Sequence, residues 1–207
     1  MVHIKILLLS DTESPALWDF YQPERVAGID VIVSCGDLKR AYLEFLVTLT
    51  GKPLLYVPGN HDTSYVKEPP EGCENIDGRV VTCCGLRFLG LGGCKKYSGG
   101  EYQYTEVEMA RRIDKLRRPI RKAGGVDIIV THAPMTGYGD AEDYAHRGFD
   151  CFLELADRVR PLAFCHGHVH RSYNWAAPRK VEYHGIPVIN AFERYVLEVP
   201  DRVGAPG

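Results

Sequence analysis

Five short apolar blocks, residues 5–10, 30–35, 53–57, 126–130 and 162–165, are separated along the chain, and each stops abruptly at polar or turn-forming residues. A strand with one wet face alternates apolar and polar positions, whereas these blocks are nearly unbroken. They read as strands covered on both faces. Between the second and third blocks, Tyr42, Leu43, Phe45, Leu46 and Leu49 recur at helical spacing. Thr105 followed by Glu108 forms a capping box, which predicts a helix running to about Lys122. Phe149, Phe152, Leu153, Leu155 and Ala156 make the apolar stripe of a further helix. Residues 79–91 and 181–199 are strand-rich with no helical pattern between, and Gly85 and Gly185 fall where hairpins would turn. Strands and helices interleaved with local hairpins predict a layered α/β sandwich.

The chain has 207 residues, enough for one well-cored domain spanning 1–207 without disulfides or a structural metal. There are 25 Lys and Arg against 27 Asp and Glu, a formal charge of −2, so composition suggests no polybasic surface for nucleic acid or membranes. The basic positions between Arg111 and Lys122 share their segment with acidic Asp114, and Glu106 and Glu108 precede them; no aromatic residues interleave there. A solvated helix face accounts for them. No apolar run approaches the roughly 20 residues of a membrane span, and no leader sequence is expected at the N-terminus. Seven cysteines without a C-x-x-C pair suit free thiols in a reducing cytoplasm. Cys35 and Cys165 end apolar blocks and are expected to pack as small hydrophobic side chains.

The candidate chemistry lies just beyond the blocks. Asp11 and Glu13 follow the first, Gly36-Asp37 the second, Gly59-Asn60-His61-Asp62 the third, Thr131-His132 the fourth, and Gly167-His168-Val169-His170 closes the fifth. Open α/β sheets bind ligands beyond the carboxyl ends of their strands. Carboxylates of Asp11, Glu13 and Asp37, the amide of Asn60 and imidazoles of His132, His168 and His170 are mixed oxygen and nitrogen donors suited to divalent transition ions. Seven donors exceed the needs of one catalytic ion with an open position and fit two ions sharing a carboxylate, although a single ion remains possible. Such a pair makes a bridging water acidic enough to supply hydroxide and clamps phosphoryl oxygens during in-line displacement.

Taken in order over nearly the whole chain, these motifs resemble those of the calcineurin-like metallophosphoesterases. The resemblance implies a four-layer sandwich of two mixed β-sheets flanked by helices, and a dinuclear site hydrolysing a phosphate monoester or diester. It implies Asp11 and His170 on one ion, Asn60, His132 and His168 on the other, and Asp37 between them. It implies His61 as the residue that contacts phosphate and protonates the leaving oxygen. Asp62 is the expected partner holding the His61 ring. Two departures matter. Glu13 stands where the family usually has histidine, which predicts a harder ion, Mn²⁺ or Mg²⁺ over Zn²⁺, with Fe²⁺ also compatible. Leu38-Lys39-Arg40 stands where phosphoprotein phosphatases carry another aspartate, which favours a small phosphorylated substrate, such as a nucleotide, over a protein. The other expectation, prompted by Glu13, is a catalytically silent binding module of the same fold. Residues 91–97 and 138–148 are expected to loop over the site, with Lys95, Lys96, Arg147 or Arg171 as phosphate contacts. His3 and His184 are expected to be structural, the chain leaves His166 and His146 open between a structural role and one supporting the site, and oligomeric state is not readable.

Overall fold

The computed structural model describes residues 3–173 and 178–200, so the ends of a 1–207 domain lie outside the described residues. Along the chain, β1 (His3–Leu9) and β2 (Val31–Ser34) precede α1 (Arg40–Thr50). Then come β3 (Leu54–Tyr56), β4 (Glu74–Asn75), β5 (Arg79–Cys83), β6 (Leu86–Leu91), β7 (Cys94–Lys95) and β8 (Gln103–Tyr104). Two helices, α2 (Glu106–Lys115) and α3 (Arg117–Ala123), lead into β9 (Ile128–Thr131) and α4 (Cys151–Val159). The remainder is β10 (Ala163–His166), β11 (Lys180–Tyr183), β12 (Ile186–Asn190) and β13 (Tyr195–Pro200).

Two mixed sheets carry the fold. One has the order β13-β1-β2-β3-β4, parallel except for β13; the other is β11-β12-β10-β9-β6-β5, parallel except for its two edges. The pleat explains the unbroken apolar blocks. Ile6, Leu8, Val31 and Val33 point between the sheets, against Phe88, Ile128, Val130 and Cys165. Their neighbours Leu7, Leu9 and Ile32 point outward, beneath Tyr42, Leu43 and Leu46 of α1. On the opposite outer face Leu89, Ile129 and Phe164 pack with Met109 and Ile113 of α2 and Phe152 and Leu155 of α4. The layers are helix, sheet, sheet, helices, and each fully buried aliphatic or aromatic side chain contributes roughly 1.5–3 kcal/mol.

The Thr105 hydroxyl accepts the Glu108 amide while the Glu108 carboxylate accepts the Thr105 amide, completing the capping box. The single helix expected to reach Lys122 is instead two, α2 and α3, meeting at Leu116. Pro119 is the physical reason: it has no N–H for the carbonyl of Lys115, and its ring would clash there. It is accommodated in the first turn of a new helix. Cys84-Gly85 and His184-Gly185 form the two expected hairpin turns, all four residues with positive φ, the backbone of a two-residue turn between twisted strands. Asp127, the polar residue inside the fourth block, is fully buried and binds the Arg87 guanidinium at 2.8 Å through both carboxylate oxygens.

Candidate metal centre

The parallel strands deliver their following residues to one edge, and the backbone there is forced. Asp11 follows β1 by two residues, Asp37 follows β2 by three, and His168 follows β10 by two; all three have left-handed backbone, with φ of 65°, 57° and 68°. Such conformations cost of order 1–3 kcal/mol in a non-glycine residue and persist only where surroundings over-determine them. Close packing does so here. A Cβ on Gly36 would come within 2.5 Å of the Gly59 nitrogen, and one on Gly167 within 1.8 Å of Ser10 Oγ. The strand ends therefore pack tightly against one another, and the side chains beside those glycines converge.

Ligand atoms of Asp37, His132 and His168 all lie within 4.8 Å of one another. His132 Nδ1 is 2.8 Å from the Cys35 carbonyl and donates to it, so Nε2 presents a lone pair to Asn60 Oδ1 at 3.0 Å and Asp37 Oδ2 at 3.4 Å. His168 Nε2 donates to the Ala145 carbonyl at 2.8 Å, which leaves Nδ1 as the bare nitrogen. Asn60 Nδ2 donates to Tyr97 Oη at 3.1 Å and so turns Oδ1 toward His132. Two imidazole nitrogens, a carboxylate and an amide oxygen thus face one another as acceptors. Like dipoles held this close require a proton or a cation among them, and this donor set fits a divalent ion, each ligand oriented by an outer hydrogen bond.

The charges agree. Burial would push Asp37 up, but the His132 imidazole and the His61 amide overcome it and hold the carboxyl at about 2. Burial would likewise depress His132, yet the Asp37 and Asp11 carboxylates raise it to about 9. A positive charge between these groups is what the site favours. His168, by contrast, is lowered to about 3, mainly by burial and then by the His132 charge, and so stays a neutral donor.

Asp11 lies alongside, completely buried, with both oxygens accepting the His168 amide at 3.0 Å and with Oδ1 3.8 Å from His170 Nε2. Desolvation raises its pKa to about 7. His61 is exposed beside Asp37, its amide donating to Asp37 Oδ1 at 2.8 Å. Glu13 is not in the cluster: its Oε1 accepts the Lys39 amide at 2.9 Å and Oε2 is 3.8 Å from Lys39 Nζ, although it lines the same cleft as Asp37 and His61.

Asp62 departs from its expected task. Its Oδ2 accepts the amides of Asp37 at 2.8 Å and Gly59 at 2.7 Å, and among the described residues it makes no hydrogen bond to the His61 ring. Buried, with its pKa raised to about 6 chiefly by desolvation, it ties the second and third strand ends together. Asp62→Ala strands two buried N–H groups at about 1–3 kcal/mol each. The expected result is a thermal midpoint lower by roughly 4–24 °C. The shape of the pH–rate profile should stay unchanged, whereas a residue orienting His61 would shift its acidic or basic limb.

Sequence reading missed Tyr97, which aims Asn60, and the Ala145 carbonyl, which aims His168; neither neighbours its partner in the chain. Residues 138–148 do cover this edge. Of the cations considered for phosphate, Lys95 is 3.5 Å from Glu106, Arg147 donates to the Glu142 carbonyl, Lys96 is exposed, and Arg171 lines a cavity beside His170. His166 is buried beside the site, with Nδ1 on the Gly167 carbonyl, while His184 binds Asp157 at 2.9 Å at its hairpin. All seven cysteines are free, and burial pushes the Cys35 and Cys165 thiols up, away from nucleophilic thiolate.

The family model described as calcineurin-like phosphoesterase matches residues 4–172. No curated protein matches the chain. One crystal structure is similar at a TM-score of 0.70 and 14% identity, covering 95% of both chains. A second, of TT1561 from Thermus thermophilus, is similar at 0.62 and 16%, covering 93% of this chain and 90% of that one. At such identities the likeness is one of fold.

Proposed function

The chain belongs to the calcineurin-like phosphoesterase family, and on that premise we propose that it hydrolyses a phosphate monoester or diester using two divalent ions held at this centre. The observation that carries the reading is the convergence of acceptors alone, Asp37, Asn60, His132 and His168, on one point. Asn60, His132 and His168 are assigned to one ion, Asp11 and His170 to the other, and Asp37 to both. Ions bound there supply Lewis acidity, polarising phosphoryl oxygens and making water nucleophilic near neutral pH. His61, tethered through its amide to Asp37 and open to solvent, is placed to meet a phosphoryl oxygen and to hand a proton to the departing alcohol. Lys39 and Arg40 line the same cleft, but Lys39 faces Glu13 and Arg40 is held by Glu44, Glu68 and Glu71, so neither is assigned to the phosphate. With mixed oxygen and imidazole donors, Mn²⁺ is the first choice, ahead of Fe²⁺, Zn²⁺ or Mg²⁺. No helix among the described residues is long and apolar enough to cross a membrane, and we place the enzyme in the cytoplasm, acting on a small phosphorylated substrate.

Metal removal tests the proposal. Protein stripped with chelator should lose hydrolysis of p-nitrophenyl phosphate and bis(p-nitrophenyl) phosphate, then regain it as two Mn²⁺ bind per chain. Full activity without metal overturns it. No bound ions and no turnover on any phosphoester would point instead to a silent binding module, the reading that Glu13's engagement with Lys39 favours.

A further inference from the structure

Tyr97 is joined to the metal centre through an amide, and the direction of that hydrogen bond matters. Asn60 turns Oδ1 toward His132 Nε2 at 3.0 Å, so its Nδ2, 3.1 Å from Tyr97 Oη, has only protons to offer and the phenol oxygen accepts. A phenol keeps a proton of its own at neutral pH. That proton cannot point at Nδ2, and Tyr97 Oη has no hydrogen-bond acceptor among the described residues. Tyr97 is 42% exposed, so a ligand arriving from solvent can reach it.

The loop that carries Tyr97 is braced. Its ends are tied beside the short ladder of β7 and β8, where the Cys94 amide meets the Tyr102 carbonyl and the Lys96 amide meets the Tyr104 carbonyl, each at 3.0 Å. Inside the loop, Gln103 Oε1 accepts the amides of Tyr97, Ser98 and Gly99 at 3.1, 2.9 and 3.2 Å. Gln103 Nε2 donates to Ser98 Oγ at 2.9 Å. Three donors on one oxygen fix the backbone of residues 97–99, and with it the place from which the phenol reaches Asn60.

Donors are what the centre lacks. Asp37, Asn60, His132 and His168 meet as acceptors, and cations around them are engaged: Lys95 with Glu106, Lys39 with Glu13, and Arg147 with the Glu142 carbonyl. A phosphoryl group brings acceptor oxygens only, and one that faces no ion needs an O–H or N–H.

We infer that Tyr97 is a catalytic residue whose hydroxyl donates to a non-bridging phosphoryl oxygen of the substrate while its oxygen accepts Asn60. The inference rests on the phosphoesterase reading for its substrate. Charge spread over the equatorial oxygens in the transition state meets a donor already in place, which costs no reorganisation. A side chain that only aimed Asn60 would act on metal affinity; a phosphoryl contact acts on the anion as well.

The test separates metal from anion. Wild-type and Tyr97→Phe proteins are titrated calorimetrically with Mn²⁺ and then, at full metal occupancy, with inorganic phosphate. Loss of one hydrogen bond to a charged group is expected to weaken phosphate by at least about tenfold. It should also lower kcat/KM for p-nitrophenyl phosphate by about a hundredfold. Phosphate affinity within about twofold of the wild type at full occupancy overturns the inference, even where Mn²⁺ binds less tightly. Should Tyr97→Phe take up no Mn²⁺, Gln103→Ala decides, because it keeps the phenol but frees its loop. Weaker phosphate binding by that variant at full occupancy supports the contact, and unchanged binding overturns it. The expected loss of phosphate affinity in a protein that hydrolyses no phosphoester supports the contact and removes only the hydrolytic reading. Hydrolysis with phosphate affinity unchanged does the reverse.

Discussion

Asp37→Asn is expected to lower kcat/KM by at least about a thousandfold, roughly 4 kcal/mol of transition-state stabilisation, and to empty the metal centre. The reason is local and has a sign. Asparagine tolerates the left-handed backbone at position 37, and its carbonyl can still accept the His61 amide. Its NH₂ group then occupies the place of Asp37 Oδ2, 3.4 Å from His132 Nε2. It donates to that lone pair, so the cluster of acceptors is satisfied internally and no longer calls for a cation. His132, raised to about 9 mainly by the Asp37 carboxylate once burial is overcome, loses that support. The variant without metal should therefore melt no lower than the wild type without metal, even as activity disappears. Metal analysis, steady-state kinetics and a thermal melt on the same preparations check all three; two bound ions with more than a tenth of the wild-type rate would refute the assignment.

Gly59→Ala is expected to disrupt both the fold and the metal centre. A Cβ there would lie 2.0 Å from Asp37 Oδ1 and 2.7 Å from the Asp37 amide nitrogen, and the second of these is backbone that cannot swing aside. Either the third strand end retreats or Asp37 is displaced, and the Asp62 bonds to the Gly59 and Asp37 amides break with it. Overpacking of this kind costs about 1–3 kcal/mol, and each lost buried bond adds to it. A fall in thermal midpoint of at least roughly 6 °C together with loss of bound metal is the expected outcome. Gly100→Ala is the matching control, since its Cβ would meet only the flexible Gln103 amide at 3.2 Å. Gly59→Ala with an unchanged melt and full metal would show that the strand ends are looser than their contacts imply.

What could be read from the chain follows from range. The Thr105–Glu108 cap and the Cys84-Gly85 and His184-Gly185 turns each involve residues no more than three apart, so their chemistry is written locally. The unbroken apolar blocks announced strands with helices or a second sheet on either face, because no other packing removes both faces from water. Pro119 was equally visible in the chain, and its missing N–H splits the helix that the apolar periodicity alone would have continued. The motif residues after each block could be named because every parallel strand ends at the same edge.

Partner choice at that edge was not legible. Asp62 looks like a holder for the adjacent His61 in sequence, yet it serves an amide 25 residues away, because burial places it between two strand ends whose N–H groups had no other acceptor. Glu13 sits in the motif position of a ligand and turns to Lys39, 26 residues on, where an amide and an ammonium outcompete the cluster. Tyr97 reaches Asn60 across 37 residues, and Ala145 reaches His168 across 23. By itself the chain determined its element types, its sandwich class and the donor chemistry at the strand ends, all of which depend on local pattern and on the rule that parallel strands share a direction. Only the tertiary structure decided which donors face inward, which acidic groups serve the backbone instead, and that a cavity adjoins the centre, since those depend on which distant backbone amides and carbonyls were left unsatisfied once the two sheets had packed.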